Sequence, residues 1–148
     1  MAATFTATGF PGIVRETHEG VYAVTFGFDY SGRSASVSDV IYIGRLPAAA
    51  GGVGGVSIIG GFVNGLAGTD GASTIKFGIP GADTYISAAI GWSLSNTPLP
   101  GVFPKTPSVS ADSLIPYVNI IATKVTGSST VTGSFQLTLL LQKNPVSN

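Results

Sequence analysis

The sequence predicts an all-β protein: a single antiparallel β-sandwich of jelly-roll character over residues 21–148, preceded by an extended N-terminal arm over residues 1–20. Three observations predict it. Apolar residues alternate with small or polar ones at a period of two over several segments, the mark of a strand with one buried face. The 21 glycines and nine prolines fall mostly between those segments, where they read as turns and loops. No segment carries an apolar stripe at helical spacing with caps and strong helix formers. A chain of 148 residues fits one domain that buries about 70% of its extended surface. Leu, Ile, Val and Phe make up 43 of the 148 residues, enough for a core.

The first twenty residues alternate Thr and Ala, pass Gly9, Pro11 and Gly12, and end in the most charged run of the chain, Arg15-Glu16-Thr17-His18-Glu19. Such a segment suits an arm laid over a neighbouring subunit; a first edge strand of the sandwich is the alternative. Residues 21–30 give the clearest strand, with Tyr22, Val24, Phe26, Phe28 and Tyr30 on one face and Ala23, Thr25, Gly27 and Asp29 on the other. Ser31-Gly32-Arg33-Ser34 reads as a turn, and residues 37–46 as a more uniformly apolar strand ended by Pro47.

A flexible Ala/Gly loop is expected over 48–55, then a buried strand over 56–63 that turns at Asn64-Gly65. Residues 73–79 place Ile75, Phe77 and Ile79 on one face and end at Pro80. Residues 84–94 place Ile86, Ala88, Ile90, Trp92 and Leu94 together, although the Ala88-Ala89 pair would also tolerate a short helix. Pro98, Pro100, Pro104 and Pro107 make 95–110 a long, stiff surface loop and a candidate contact arm. Residues 117–125 and 131–142, joined by Thr126-Gly127-Ser128-Ser129-Thr130, read as a terminal antiparallel hairpin. Its second member presents Val131, Gly133, Phe135, Leu137, Leu139 and Leu141 on one face.

Charge is scarce. Only 9% of residues are charged, seven basic and seven acidic, for a net charge of zero, against about 25% in ordinary soluble domains. A monomer of this mass exposes about 7,000 Å², or about 500 Å² per charged side chain, comparable with the largest apolar patch of a typical monomer. With colloidal repulsion absent as well, much of the surface is expected to be covered by copies of the chain or by a larger partner. Sixteen serines, fifteen threonines and the glycines supply uncharged polarity that suits close contacts between subunits.

The same counts disfavour most chemistry. With no cysteine and only His18, disulfides and thiolate metal sites are excluded and a nucleophilic triad lacks its parts. Glu16, His18 and Glu19 read as a solvated charged turn rather than a metal site. Asp29, Asp39, Asp70, Asp83 and Asp112 each fall at a strand end or turn, where Asp caps its own backbone. Gly51-Gly52-Val53-Gly54-Gly55 lacks the lysine and Ser/Thr of a phosphate loop. No enzyme activity and no cofactor are expected, and the scattered basic residues offer no nucleic-acid patch.

No charged residue occurs from Leu46 to Thr69, a stretch long enough to span a bilayer. It holds Pro47, Asn64 and eight glycines, however, so neither a transmembrane helix nor any other membrane role is expected. The N-terminus has neither a basic start nor an apolar core, so synthesis in a cytoplasm without a signal peptide is expected.

Thr8-Gly9-Phe10-Pro11-Gly12-Ile13-Val14-Arg15-Glu16, an aromatic strand, Ser38-Asp39-Val40-Ile41-Tyr42-Ile43-Gly44-Arg45-Leu46-Pro47 and a closing Thr/Leu-rich hairpin follow one another along most of the chain. This layout resembles small virion proteins of tailed bacteriophages, in particular head decoration (cement) proteins. The resemblance implies a non-enzymatic β-rich structural protein on the capsid surface of a virion, often a homotrimer, that braces contacts between subunits of the major capsid protein. It supplies no catalytic residues. The expected capsid or subunit contacts are Phe5, Phe10, Pro11, Arg15 and Glu16 in the arm, and Pro98, Pro100, Phe103 and Pro104 in the Pro-rich loop. A tail or head–tail connector subunit is one alternative. A glycan-binding β-sandwich, which would need a concave aromatic cluster including Trp92, is another.

Overall fold

The alternating segments fold as strands in a computed structural model that describes residues 4–6, 20–29, 38–67, 74–91, 96–113, 115–126 and 134–144. Among the described residues there is no helix, and eleven strands run in chain order: β1 Thr4–Thr6, β2 Val21–Asp29, β3 Val40–Pro47, β4 Ala49–Ala50, β5 Val56–Ala67, β6 Thr74–Ile79, β7 Ala82–Gly91, β8 Thr97–Pro98, β9 Ser108–Val109, β10 Tyr117–Thr126 and β11 Ser134–Lys143.

A five-stranded sheet has the order β1-β3-β10-β6-β7, a four-stranded sheet the order β2-β11-β5-β8, and β4 pairs with β9 in a small third sheet. All pairings within the two larger sheets are antiparallel except that of β1 with β3. The two sheets share one core. Phe26, Phe28, Val56, Ile58, Val63, Phe135, Leu137, Leu139 and Leu141 enter it from the four-stranded sheet. Ile41, Ile43, Leu46, Ile75, Phe77, Ile86, Ile90, Ile120 and Ala122 enter it from the five-stranded sheet. An aromatic seam joins the two, with the Phe77 and Phe135 rings 5.8 Å apart and Phe135 and Phe28 6.1 Å apart.

The faces of β2 and β11 follow their alternation. Phe26 and Phe28 are buried, Tyr22 and Val24 pack against the core, and Ala23, Thr25 and Gly27 are exposed. Tyr30, Trp92, Leu94, Val131 and Gly133 lie outside the described residues.

Four local expectations are corrected. β10 and β11 form no hairpin: β10 pairs with β3 and β6, and β11 pairs with β2 and β5. Placing them in separate sheets lets the apolar face of each fill the core from opposite sides. The predicted turn at Asn64-Gly65 is continuous strand, paired with Gln136 and Phe135, because the long ladder of β11 overrides a local turn preference.

Ala88 does not join Ile86 and Ile90 inside but is exposed, as is Ala89. The register of β7 against β6 shifts between Ile75 and Phe77, and the extra residue there breaks the period of two. The expected flexible loop after Pro47 is fixed: Ala48 and Ala49 are buried, Ala50 and Val53 exchange backbone hydrogen bonds, and Gly51 and Gly52 turn with φ of 61° and 83°.

Candidate contact surface

The Pro-rich segment is not a free loop. Its backbone is fastened to the body along its length. Leu99, buried at 7% exposure, donates its N–H to Gly61 O at 3.0 Å, and β8 pairs with Phe62 and Val63 of β5. Lys105 and Ile58 exchange N–H···O bonds at 2.8 and 2.7 Å. Ala49 N–H donates to Pro107 O and Ala48 N–H to Pro116 O, each at 2.8 Å. Prolines lack the N–H that a sheet would need, so the segment is held through its carbonyls and its non-proline residues.

Side chains complete the attachment. Lys105 Nζ donates to Tyr85 O at 2.5 Å and stands 5.6 Å from the Tyr85 ring centroid and 5.7 Å from that of Phe103. An ammonium over two aromatic faces gains quadrupole attraction while its stem stays packed. Burial pushes the Tyr85 hydroxyl up from its ordinary value of 10.0. Ser57 Oγ donates to Asn144 Oδ1 at 2.7 Å and lies 2.7 Å from Thr106 Oγ1, and Asn144 Nδ2 donates to Gly54 O at 3.1 Å.

This fastening leaves a crest that faces outward. Pro98, Pro100 and Pro104 are exposed, Phe103 is half-buried, and the Phe103–Pro104 bond is cis. Val102 is 83% exposed, the most of any large apolar side chain among the described residues, and Ile115 is 66% exposed. Neither was singled out from the sequence. A valine flanked by prolines, and an isoleucine between a charged turn and Pro116, were the available signals.

Of the predicted arm contacts, Phe5 lies in β1, paired parallel with Ile41 of β3. Phe10, Pro11, Arg15 and Glu16 lie outside the described residues, as do His18 and Glu19.

A concavity of about 330 Å³ is lined by Ser38, Val40, Lys76, Asp83, Ile121, Thr123, Lys124 and Val125. Lys76 Nζ and Asp83 Oδ2 form an ion pair at 2.7 Å, and the buried Thr123 Oγ1 has no hydrogen-bond partner. The lining combines an aliphatic wall of Val40, Ile121 and Val125 with two hydroxyl residues, Ser38 and Thr123, the Lys76–Asp83 ion pair and Lys124. Among the described residues no three His, Cys, Asp or Glu side chains converge on a metal position. Among the same residues no helix is long and apolar enough to cross a membrane.

Comparison with protein-family models, curated proteins and solved structures finds no match to this chain.

Proposed function

We propose that the chain is a virion structural protein with a jelly-roll fold, which sits on an icosahedral bacteriophage capsid and braces the major capsid subunits. Strand connectivity supports the fold. With β1, β4 and β9 set aside, eight strands remain, the two-residue β8 among them, and they pair antiparallel as first with last (β2–β11), second with seventh (β3–β10), third with sixth (β5–β8) and fourth with fifth (β6–β7). That nesting is what results when one long antiparallel ribbon is rolled up. Double-sheet jelly rolls recur as viral shell and lectin domains.

A fold does not choose a function. The observation that carries the shell reading is the surface: 7278 Å² shared among fourteen charged side chains, about 520 Å² for each, with a net charge of zero. Such a surface is suited to being covered. The crest of Pro98, Pro100, Val102 and Pro104 is a stiff apolar ridge, and residues 1–20 remain the proposed second contact element.

The test is co-sedimentation of the purified protein with icosahedral capsids assembled from the major capsid protein of the phage that encodes it. Wild-type protein is expected to travel with the capsid band. Val102→Asp, which leaves the core untouched, is expected to stay near the top of the gradient. Wild-type protein that remains at the top at micromolar concentrations rejects the reading.

A further inference from the structure

The concavity beside Thr123 lies on the outer face of the five-stranded sheet. Ile41, Ile75, Phe77 and Ala122 belong to the core, so by the alternation of a strand their neighbours Val40, Lys76, Ile121 and Thr123 point the other way. Thr123 pairs with Val40 of β3 on one side and with Lys76 of β6 on the other. One row across three strands therefore reads aliphatic, hydroxyl, cation. Ile121 and Val125 extend its aliphatic part along β10.

Two observations set this place apart. Thr123 is only 6% exposed, and its Oγ1 has no hydrogen-bond partner. A buried hydroxyl left unpaired is costly, and native chains seldom keep one unless something else supplies the bond. Ser38, which also lines the concavity, is the one non-glycine residue with positive φ among the described residues, at 74°. Its N–H donates to Lys124 O at 2.8 Å, and Lys124 N–H donates to Asp39 O at 3.2 Å, so the corner is fixed to β10. Backbone held in so sparsely populated a region clusters at ligand sites.

We propose that this concavity binds a small uncharged molecule with a short branched aliphatic body and one carbonyl or hydroxyl oxygen. The oxygen accepts from Thr123 Oγ1, and the body lies against Val40, Ile121 and Val125. At about 330 Å³ the space reaches the lower end of ordinary ligand pockets. An anion is disfavoured. Lys76 is already paired with Asp83 at 2.7 Å, Lys124 is fully buried and already engaged, and the Asp83 carboxylate would repel a second negative charge. This site and the proposed capsid contacts are separate, and neither depends on the other.

The test is an NMR titration of the purified full chain with isovaleramide at millimolar concentrations, with isovalerate as the charged counterpart of the same shape. Isovaleramide is expected to give saturable shifts of the Val40, Ile121, Thr123 and Val125 methyl signals. Val102 and Ile115, exposed elsewhere, are expected to stay unmoved, and isovalerate to bind more weakly.

Thr123→Val keeps the shape and removes the hydroxyl. It is expected to weaken isovaleramide binding about three- to tenfold, the worth of one hydrogen bond, without lowering the melting temperature of the free protein. Val40→Phe fills the space and is expected to abolish the saturable shifts. Shifts that never saturate, or that reach Val102 and Ile115 equally, overturn the inference and leave water as the occupant. Unchanged affinity in either variant overturns it too, as does a Thr123→Val chain that melts earlier, since the hydroxyl then has a partner within the protein.

Discussion

Gly44 and Gly55 are places where hydrogen is the only side chain that fits. A Cβ on Gly44 would meet the Phe26 ring at 2.5 Å, so this glycine of β3 seats an aromatic ring of the opposite sheet. Overpacking of this kind costs about 1–3 kcal/mol, and Gly44→Ala is expected to lower the urea midpoint by a matching amount. At Gly55 the obstacle is the backbone of Ala48 and Ala49, and φ is 68°. Gly55→Ala is expected to be the more damaging, because a ring can rotate and a backbone cannot.

Phe77 is fully buried beside Phe135. Phe77→Ala is expected to cost about 3–5 kcal/mol, a large part of the roughly 5–15 kcal/mol that holds a domain together; chemical unfolding measures it. Tyr85 gives a pH signature. Desolvation favours its neutral form, so the folded chain keeps a proton that the unfolded chain releases above its ordinary value of 10.0. The resulting stability is present in full below pH 10 and is lost as pH rises through the higher folded value. Absorbance at 295 nm is expected to show one tyrosine ionising late.

At the scale of elements, the segment 96–113 shows how a chain poor in donors is fixed. Lys105 ties it to β7 through Tyr85 O and to β5 through Ile58. Lys105→Ala removes the first tie and keeps the second. The expected result is a loss of about 1.5–3 kcal/mol, as for a hydrogen bond to a charged group, with faster amide exchange at Leu99 and Val102; exchange unchanged there would show that the backbone ties suffice.

The faces of β2 and β11 were legible in the sequence because large apolar residues recur at every second position over nine or ten residues. The β6–β7 hairpin was half legible: Pro80 was seen as a stop, but Pro80 followed by Gly81, with φ of 86°, is the turn that returns the chain. The destinations of β10 and β11 were not legible, since no local feature says which sheet still lacks a strand. For the contact surface, the prolines of the crest were legible, whereas its anchoring through Leu99 and Lys105 depends on Tyr85, Gly61 and Ile58, partners twenty to forty-seven residues earlier.

At the scale of the whole molecule, scarce charge and nested pairing act together. A rolled ribbon buries its apolar faces efficiently, and with so few charges the outside is hydrated mainly through Ser, Thr and Gly. The position of β11 adds a consequence for biosynthesis. It is the last strand of the described chain, yet it is the seam that holds β2 to β5. A ribosome that has delivered everything up to residue 133 has produced two strands with a vacant slot between them, and the slot closes only when ten more residues emerge. Folding of the four-stranded layer therefore waits for β11, and until it is delivered chaperones, or neighbouring nascent chains on the same messenger, meet the two facing edges of β2 and β5.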